Sequence, residues 1–463
     1  MLSSQSLTEI DSYCQRVLEE WRVPGAAVAI IQGKEVVFQK GYGTQKHGEN
    51  IPVTAETLFP IASITKSFAA TSLALLVDAG KLKWDDRVSE HLPGFKLRDP
   101  WMTREFQIID LICHRSGFRA ESLDQMGIWG YSRQDIQRGF QHIEPVTSFR
   151  TTYAYVNGLY LWVEDLIQTI TGQKWSDFVK DNILIPLGME NTDAIDAVPQ
   201  SGLIHGHILD EETRSHLISR QFSSFPLAFL AAGGLVSSVQ DLSKWVAMHL
   251  GHLGLLSKES RQFLHSPKTQ MESFFSYGGG LRIYDDRPCR VLGHGGLIAG
   301  VRHQFLCVPE RDAGIVILTN LTHSEAPVVV GQYFLDQVMG LPFKDHSQLL
   351  KETNPVVPKS RPKPSGQKVD LSVFKGVYHS PILGKVIIEE GAADLVMTLG
   401  PKQAKAELKH IQGWEFQIYF LGEAGALHGE GHWGTATFGK DDLILKGYKN
   451  FEDETFTLKI YSA

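Results

Sequence analysis

The sequence predicts an α/β (α+β) protein in two parts, in which an antiparallel sheet flanked by helices precedes a small all-β barrel. Apolar residues at helical spacing begin and end the first part, with β-rich runs between them. The stretch 354–366 is rich in proline and poor in apolar residues, as is typical of an extended linker. After it, short alternating runs recur every ~8 to 12 residues, which favours a sandwich or barrel. We therefore expect domains at 1–344 and 369–463, joined by a linker at 345–368.

Composition excludes several classes of function. The chain has 463 residues, 43% of them hydrophobic and 21% charged, as in ordinary globular proteins. A net charge of -7 without a basic run argues against nucleic acid as a partner. The four cysteines form no Cys-x-x-Cys pair, so a zinc ribbon or redox motif is not expected.

The N-terminal residues and the longest apolar runs indicate where in the cell the protein is expected. The N-terminus has neither the basic nor the apolar region of a signal peptide, so a cytoplasmic location is expected. No uncharged apolar run reaches the ~18 to 20 residues that a membrane span needs.

The first elements are a helix and a hairpin. Ser6 and Glu9 have the spacing of a capping box, and apolar residues then recur at helical spacing over about 7–22. Two β-rich runs, 26–31 and 36–42, surround Gln32-Gly33-Lys34 and predict a hairpin.

Ser63-Ile-Thr-Lys66 precedes an apolar run, 68–79, that ends at Gly80 and reads as a buried helix. Residues three apart share a helix face, so the Lys66 amine can reach the Ser63 hydroxyl. Burial lowers the pKa of a lysine, which then can act as the base that a serine nucleophile needs. The four-residue pattern alone recurs by chance, and a helix-start serine with a surface lysine is the alternative.

The middle of the chain is less regular. Residues 106–114 are apolar at helical spacing, and 115–149 is a glycine-rich and aromatic stretch that predicts loops over a cleft or a surface cap. Tyr155-Val-Asn157 follows, with Asn157 well placed as a helix N-cap.

Strands and helices then alternate to the end of the first part. Ser238 is the expected cap of a helix at 239–250, and 277–283 and 290–292 predict strands that lead to Gly293-His294-Gly295-Gly296. Two further β-rich runs and a closing helix follow; they are 301–308, 313–320 and 326–339.

Three motifs in order, Ser63-Ile-Thr-Lys66, Tyr155-Val-Asn157 and His294-Gly-Gly296, together resemble the serine β-lactamase and penicillin-binding-protein superfamily. The resemblance covers about residues 7–340 and is closest to the class C-like branch of esterases and D-amino-acid peptidases. It implies an all-helical subdomain beside the sheet. The C-terminal part is similar to the small lipocalin-like barrel appended to some members.

The resemblance also implies the site. Ser63 would be the nucleophile that forms an acyl-enzyme, and Lys66 and Tyr155 would share the acid and base work. A lysine cation beside Tyr155 would favour its phenolate. Substrate contacts would come from Asn157, His294, Gly295 and Gly296, and the oxyanion hole from the backbone N–H groups of Ser63 and Leu297. No metal and no cofactor is expected.

His294 stands where many β-lactamases have lysine, a permanent cation that holds a substrate carboxylate. Histidine is mostly neutral near pH 7 unless its neighbours raise its pKa. This difference favours a peptidase or esterase over an antibiotic-hydrolysing enzyme, while a turn histidine without a catalytic part is the alternative. The expected partner is a small-molecule or peptide substrate, and a homo-oligomer through the C-terminal barrel is possible.

Other functions stay open. A true β-lactamase or penicillin-binding activity is one alternative, and a non-catalytic binding or assembly-forming scaffold is another. No serine lies in Gly-x-Ser-x-Gly, which disfavours an α/β-hydrolase. His205, His207 and Asp210 suggest a zinc site, but their spacing does not match a known metal motif. The stretch 428–432, with His432, is typical of a turn, with metal binding as the weaker alternative.

Overall fold

A computed structural model describes residues 2–209, 216–219, 227–322, 324–353, 369–422, 432–440, 442–447 and 455–460. The strands of the first part are β1 (Gly25–Gln32), β2 (Glu35–Gly43), β3 (Phe59–Pro60), β4 (Asp193–Ala194), β5 (Gly206–Leu209), β6 (His216–Ser219), β7 (Leu235–Ser237), β8 (Thr269–Glu272), β9 (Phe275–Tyr277), β10 (Arg282–Tyr284), β11 (Val291–Ile298), β12 (Val301–Val308) and β13 (Ala313–Thr319). Eight of them form one antiparallel sheet in the order β2-β1-β13-β12-β11-β10-β9-β8. The others form two small sheets, β3-β7-β4 and β5-β6.

Helices cover both faces of the sheet and form a subdomain beside it. They are α1 (Ser4–Glu20), α2 (Thr65–Asp78), α3 (Val88–His91), α4 (Pro100–Glu105), α5 (Asp124–Ile128), α6 (Arg133–Gly139), α7 (Leu161–Thr171), α8 (Trp175–Val179), α9 (Ile185–Leu187), α10 (Leu230–Gly233), α11 (Val239–Leu250), α12 (Lys258–Leu264), α13 (Ala326–Met339) and α14 (His346–Thr353). The predicted α/β (α+β) class with an all-helical subdomain is confirmed.

β1 is buried on both faces, which is why its sequence is apolar throughout and does not alternate with polar residues. Ala26, Val28 and Ile30 pack into the core that α1 and α13 cover. Ala27, Ala29 and Ile31 point to the opposite face, into the core that contains α2 and α11. A strand that is buried on both faces has no polar side, so the run Gly25–Gln32 is almost wholly hydrophobic.

The C-terminal part is a closed eight-stranded barrel, and the predicted small β-barrel is confirmed. Its strands are β14 (Gly376–Ser380), β15 (Gly384–Glu390), β16 (Leu395–Leu399), β17 (Ala404–Gln412), β18 (Glu415–Phe420), β19 (His432–Phe438), β20 (Asp442–Gly447) and β21 (Thr455–Ile460). Each strand pairs antiparallel with the next, and β14 pairs with β21 to close the ring. Closure leaves no free sheet edge.

Several local predictions need correction. α1 begins at Ser4, one turn earlier than expected, because Ser3 rather than Ser6 caps it and accepts a hydrogen bond from Ser6 N at 3.1 Å. Residues 106–114 contain only a short 3-10 helix, Ile108–Leu111. The stretch 115–149 contains two short helices, α5 and α6.

The single strand predicted at 277–283 is divided into β9 and β10 by a glycine turn. Gly280 has a φ of +70°, and a Cβ there would lie 2.6 Å from the Lys66 carbonyl oxygen. The turn therefore packs against α2, and only glycine fits it.

The segment between the two parts holds α14, which packs beside α13 and lies within the stretch predicted as linker. Lys351 Nζ in α14 forms an ion pair with Glu20 Oε1 at 2.5 Å. Among the described residues, no helix combines the length and apolar character needed to span a membrane.

Candidate active site

Ser63 lies in a 3-10 turn, Ala62–Ile64, that runs directly into α2. Ser63 therefore lies in the turn that precedes α2 and not within that helix. Ala62 has a φ of +48°, a left-handed conformation that is strained for a residue with a side chain. Ala62 and Ile64 are buried whereas Ser63 is partly exposed. Ser63 is thus the one partly exposed residue of this turn, at the N-terminal end of α2.

Lys66 is fully buried, and its amine lies beside this hydroxyl. Lys66 Nζ is 3.2 Å from Ser63 Oγ, and it donates a hydrogen bond to the Ala232 carbonyl at 2.7 Å. Burial lowers the pKa of Lys66 to about 7; the charge of Asp124 opposes this shift and that of Arg282 adds to it. Lys66 can therefore lose its proton near neutral pH and accept the proton of Ser63.

The acceptor of Lys66 is itself held in place. Ala232 lies in α10, and the preceding residue, Ala231, donates its N–H to Glu164 Oε1 at 3.1 Å. Glu164 projects from α7 and pairs with Arg133 at 3.0 Å through its other oxygen. The buried Glu164 carboxyl group, whose pKa burial raises to about 7, thus fixes the backbone that orients the lysine amine.

The Tyr155 ring also lies close to the Lys66 amine. Lys66 Nζ lies 4.8 Å from the centre of the Tyr155 ring and 5.2 Å from that of Tyr160. Burial raises the pKa of Tyr155 well above its ordinary value, although a hydrogen bond with Ser63 lowers it. The expectation that Lys66 favours the phenolate is therefore wrong for this site, because the loss of hydration dominates. Tyr155 is a phenol that can donate a proton.

Asn157 is not a helix N-cap. It is the first residue of a 3-10 turn, Asn157–Tyr160, in which Val156 holds the N-cap position. Its Nδ2 instead donates to Asp124 Oδ2 at 2.6 Å, and both side chains are buried. The alternative that made Asn157 a cap is wrong because Val156 occupies the N-cap position and Asn157 already lies inside the turn.

His294, Gly295 and Gly296 lie inside β11, so the alternative that placed His294 in a turn is wrong. β11 passes directly beside the turn that carries Ser63. A Cβ on Gly296 would overlap the Ile61 carbonyl oxygen, so glycine permits this approach. His303, on the neighbouring strand β12, lies 2.9 Å from the Pro60 carbonyl through Nε2 and ties the end of β3, just before this turn, to the sheet.

The His294 imidazole is 1% exposed and lies between two partners. Its Nδ1 is 2.6 Å from the Gly295 carbonyl, and its Nε2 is 2.9 Å from the Tyr277 hydroxyl. A carbonyl only accepts, so Nδ1 carries the proton and Tyr277 donates to Nε2. Burial, then the charge of Arg282, lowers the pKa of His294 well below its ordinary value. His294 is neutral and cannot replace a cationic lysine.

Leu297 follows these residues on β11 and is 45% exposed. Its position next to the Ser63 turn agrees with the predicted oxyanion hole, which stays a prediction.

Sequence reasoning missed Arg282, which begins β10 and pairs with Gly293 of β11 and Tyr277 of β9. Its positive charge lowers the pKa of both Lys66 and His294. Arg282 Nε is buried and has no hydrogen-bond partner within the described part of the chain. The site therefore holds a fixed cation with an unused donor. Its only signal in the sequence was one arginine in an otherwise apolar β-rich run.

The zinc alternative finds no support in His207. Its Nε2 accepts a hydrogen bond from His47 N at 3.0 Å, and its Nδ1 lies 2.9 Å from the Asn320 carbonyl. Asp210 and most of the stretch 428–432 lie outside the described residues. Within the residues that the structure describes, no three histidine, cysteine or acidic side chains are grouped as metal ligands would be.

Comparison with other proteins agrees with the fold. The structure resembles the octameric penicillin-binding protein homologue from Pyrococcus abyssi, with a TM-score of 0.66 at 22% identity over 98% of this chain and 99% of that one. It also resembles a D-stereospecific amidohydrolase from Streptomyces sp., with a TM-score of 0.58 at 21% identity over 69% of this chain and 98% of that one.

Sequence relatives include the unguisins hydrolase ungD' of Aspergillus campestris, 25% identical over 81% of this chain and 76% of its own length. Protein flp of Staphylococcus aureus strain MW2 is 25% identical over 71% of this chain and 66% of its own. The family model described as Beta-lactamase matches residues 10–339, the part of the chain that carries Ser63, Lys66, Tyr155 and His294. The chain belongs to the beta-lactamase family.

Proposed function

We propose that the protein is a serine hydrolase that cleaves an amide or ester through an acyl-enzyme on Ser63, as a peptidase or esterase. The observation that carries this proposal is the buried Lys66 amine 3.2 Å from Ser63 Oγ, with a pKa of about 7. A buried lysine that only stabilised the fold would be expected to form an ion pair with a carboxylate, whereas Lys66 lies beside the hydroxyl of a partly exposed serine. The names of the unguisins hydrolases and of the D-stereospecific amidohydrolase are consistent with this reaction class.

In the first half of the reaction, neutral Lys66 takes the Ser63 proton as Oγ attacks the carbonyl carbon of the substrate. The carbonyl oxygen becomes an oxyanion, to which the backbone N–H groups of Ser63 and Leu297 donate. Two such donors are worth about 3–4 kcal/mol each in the transition state. Tyr155, a phenol in the resting site, passes its proton to the leaving group and is reprotonated from Lys66.

In the second half, water attacks the acyl-enzyme and the same groups work in reverse. Tyr155 takes the water proton as it passes its own to Lys66, and Lys66 then returns that proton to Ser63 Oγ as the acyl product leaves. No metal and no cofactor enters this scheme.

The substrate we propose carries a carboxylate close to the scissile bond. Neutral His294 cannot hold an anion by charge, but Arg282 on the adjacent strand can. This favours a peptide with a free C-terminal carboxyl over a simple ester. Asn157, with Gly295 and Gly296, would contact the substrate amide along the β11 edge.

The test is labelling and turnover with Ser63→Ala in the full chain. The wild type should gain one adduct on Ser63 with a fluorophosphonate probe and hydrolyse members of a panel of D- and L-peptides, esters and β-lactams. Ser63→Ala should lose both the adduct and the turnover, whereas Ser67→Ala, one turn further along α2, should keep the adduct. An adduct on any other residue, or turnover by Ser63→Ala, would refute the proposal.

Penicillin-binding or β-lactamase activity is the second candidate, favoured by the intact Ser63, Lys66 and Tyr155. A stable penicilloyl adduct would identify a penicillin-binding protein, and a rapidly lost one a β-lactamase. A homo-oligomer formed through the barrel is a further proposal, supported by the octameric state named for the Pyrococcus abyssi homologue. Light scattering of the full chain tests it.

A further inference from the structure

The segment from Glu121 to Asp124 is fastened at two points to the stretch that carries Tyr155 and Asn157. Glu121 N donates to the Tyr155 carbonyl at 2.5 Å. Three residues on, Asp124 Oδ2 accepts from Asn157 Nδ2 at 2.6 Å. The two hydrogen bonds bracket the Tyr155–Asn157 motif, so the position of this segment decides where the Asn157 amide points.

The same segment has a strained backbone. Glu121 and Leu123 have φ values of +56° and +66°, a region that side chains disfavour. Such a conformation persists only where the surroundings over-determine it. Something outside the segment must therefore hold α5, which begins at Asp124 and has Trp129 as its C-cap.

The barrel supplies that hold. Trp129 is fully buried, and its ring centre lies 5.5 Å from those of both Phe420 and Trp433, two barrel residues. The Trp129 carbonyl accepts from Lys402 N at 3.3 Å. A Cβ on Gly400 would lie 2.5 Å from the same carbonyl oxygen, so the barrel loop approaches as closely as glycine allows. Tyr131 adds a hydrogen bond from its hydroxyl to the Leu383 carbonyl at 2.5 Å.

We propose that Asp124 is a positioning residue of the active site, which orients the Asn157 amide and places a negative charge near Lys66, and that the barrel holds it there through Trp129. The inference rests on the proposed serine-hydrolase function. The barrel would then support catalysis within its own chain. Without its contacts to Trp129, the strained segment 121–124 relaxes and Asn157 loses its hydrogen-bond acceptor.

The charge of Asp124 acts on Lys66 against several other groups. It is the largest influence that favours the ammonium form of Lys66, because it raises the pKa that burial lowers. The other titratable or charged groups that act on or lie near the Lys66 amine are Glu121, Arg282, Tyr155, Tyr160, His114 and His294. Without the Asp124 charge, Lys66 should lose its proton at lower pH.

Two substitutions separate the hydrogen bond from the charge. Asp124→Asn keeps an oxygen that can accept from Asn157 but removes the charge, and Asp124→Ala removes both. We expect Asp124→Ala to lower kcat/KM roughly tenfold or more, because a buried donor is left unpaired. Asp124→Asn should recover most of that loss, while the acid limb of its pH profile moves down by about one pH unit.

Asp135→Asn, a carboxylate in the first turn of α6, is the matched control and should leave rate and profile unchanged. An unshifted acid limb in Asp124→Asn, or equal rates for the two Asp124 variants, would overturn the proposal.

The role of the barrel is tested in the full chain by Trp129→Ala, with Trp129→Phe as the conservative variant. Trp129→Ala should lower kcat/KM as Asp124→Ala does. The double variant should lose no more than either single variant, because both substitutions act by removing the acceptor of the Asn157 amide. Trp129→Phe should recover most of the activity. Trp414→Ala, a half-exposed barrel tryptophan, is the control and should behave as the wild type.

Additive losses, or full activity in a folded Trp129→Ala protein, would reject the barrel's part. Failure of the proposed function is distinguishable, because it would appear first as turnover by Ser63→Ala. The inference alone fails when activity depends on Ser63 but not on Asp124 or Trp129.

Discussion

The Tyr277 hydroxyl donates to His294 Nε2 at 2.9 Å, and this bond joins β9 to β11 beneath the site. Because His294 Nδ1 carries the proton that faces the Gly295 carbonyl, Nε2 is a buried acceptor for which Tyr277 is the donor. The pair keeps the imidazole neutral and in one tautomer.

Tyr277→Phe should therefore lower stability. It leaves His294 Nε2 buried without a donor, which costs about 1–3 kcal/mol. The change is measured as a lower midpoint in urea and in thermal unfolding. Tyr284→Phe removes the same atom at a partly buried site on β10 and should cost less. Equal stability of Tyr277→Phe and the wild type would show that the hydrogen bond is not made.

Activity should rise with pH through the pKa of Lys66. That pKa is lowered to about 7, and the base form is the neutral amine, so kcat/KM should be small below pH 7 and level off above it. The profile is measured on a peptide and on an ester, with the uncatalysed rate subtracted. Lys66→Arg should be inactive at every pH, since a guanidinium keeps its proton. An acid limb near the ordinary lysine pKa of 10.5 would contradict this assignment.

The same shift predicts how stability depends on pH. The unfolded chain restores the ordinary pKa of 10.5, so between pH 7 and 10.5 the unfolded state binds more protons than the folded state. The free energy of unfolding should therefore gain a contribution from Lys66 as pH rises through this window, and lose it as pH falls to 7.

Lys66→Met lacks the titrating group, so the difference in unfolding free energy between it and the wild type should shrink as pH rises. Lys66→Met should be the more stable protein at pH 7, because burial of a charge is removed. A constant difference across the window would mean that Lys66 is not shifted in the folded protein.

The features that could be predicted from the sequence are those formed by residues close together in the chain. Ser63 and Lys66 are three residues apart in a continuous helical stretch, so their spacing alone predicted that they meet. The hairpin of β1 and β2 and the apolar run of β1 are likewise local, as is the helix cap at Ser238. The order of the three motifs along the chain then indicated the family.

Long-range partners could not be predicted. Asp124 meets Asn157 across 33 residues, and Arg282 reaches the site only because β10 pairs with β11. Each is a single charged residue, and its partner is chosen by tertiary packing rather than by any repeating pattern. The division of 277–283 into two strands has the same origin, since Gly280 turns against α2.

Gly296→Ala should be more harmful than Gly295→Ala. A Cβ at 296 would overlap the Ile61 carbonyl oxygen, which is backbone and cannot swing away, whereas a Cβ at 295 would lie 3.4 Å from the His303 carbonyl oxygen. Gly296→Ala must push β11 away from the turn that carries Ser63, at a cost of about 1–3 kcal/mol. The thermal midpoints of the two variants compare the sites directly. Equal midpoints would show that the strand and the turn are less tightly packed than the structure indicates.

Arg282→Gln should reduce the preference for substrates with a carboxylate. A hydrogen bond to a charged group contributes about 1.5–3 kcal/mol, so KM for the free acid should rise roughly tenfold or more while that for its methyl ester changes little. Arg290→Gln, which lies just before β11 and is paired with Asp285 at 2.7 Å, is the control and should leave both values unchanged.

A charge placed on the neighbouring strand extends this test. In the Arg282→Gln background, His294→Lys puts a cation on β11 and should restore part of the preference for the acid over the ester. Two results would contradict the role of Arg282. One is an equal rise in KM for the acid and the ester, which would mean that Arg282→Gln damages the site as a whole. The other is an unchanged KM for both, which would mean that the substrate carboxylate lies elsewhere.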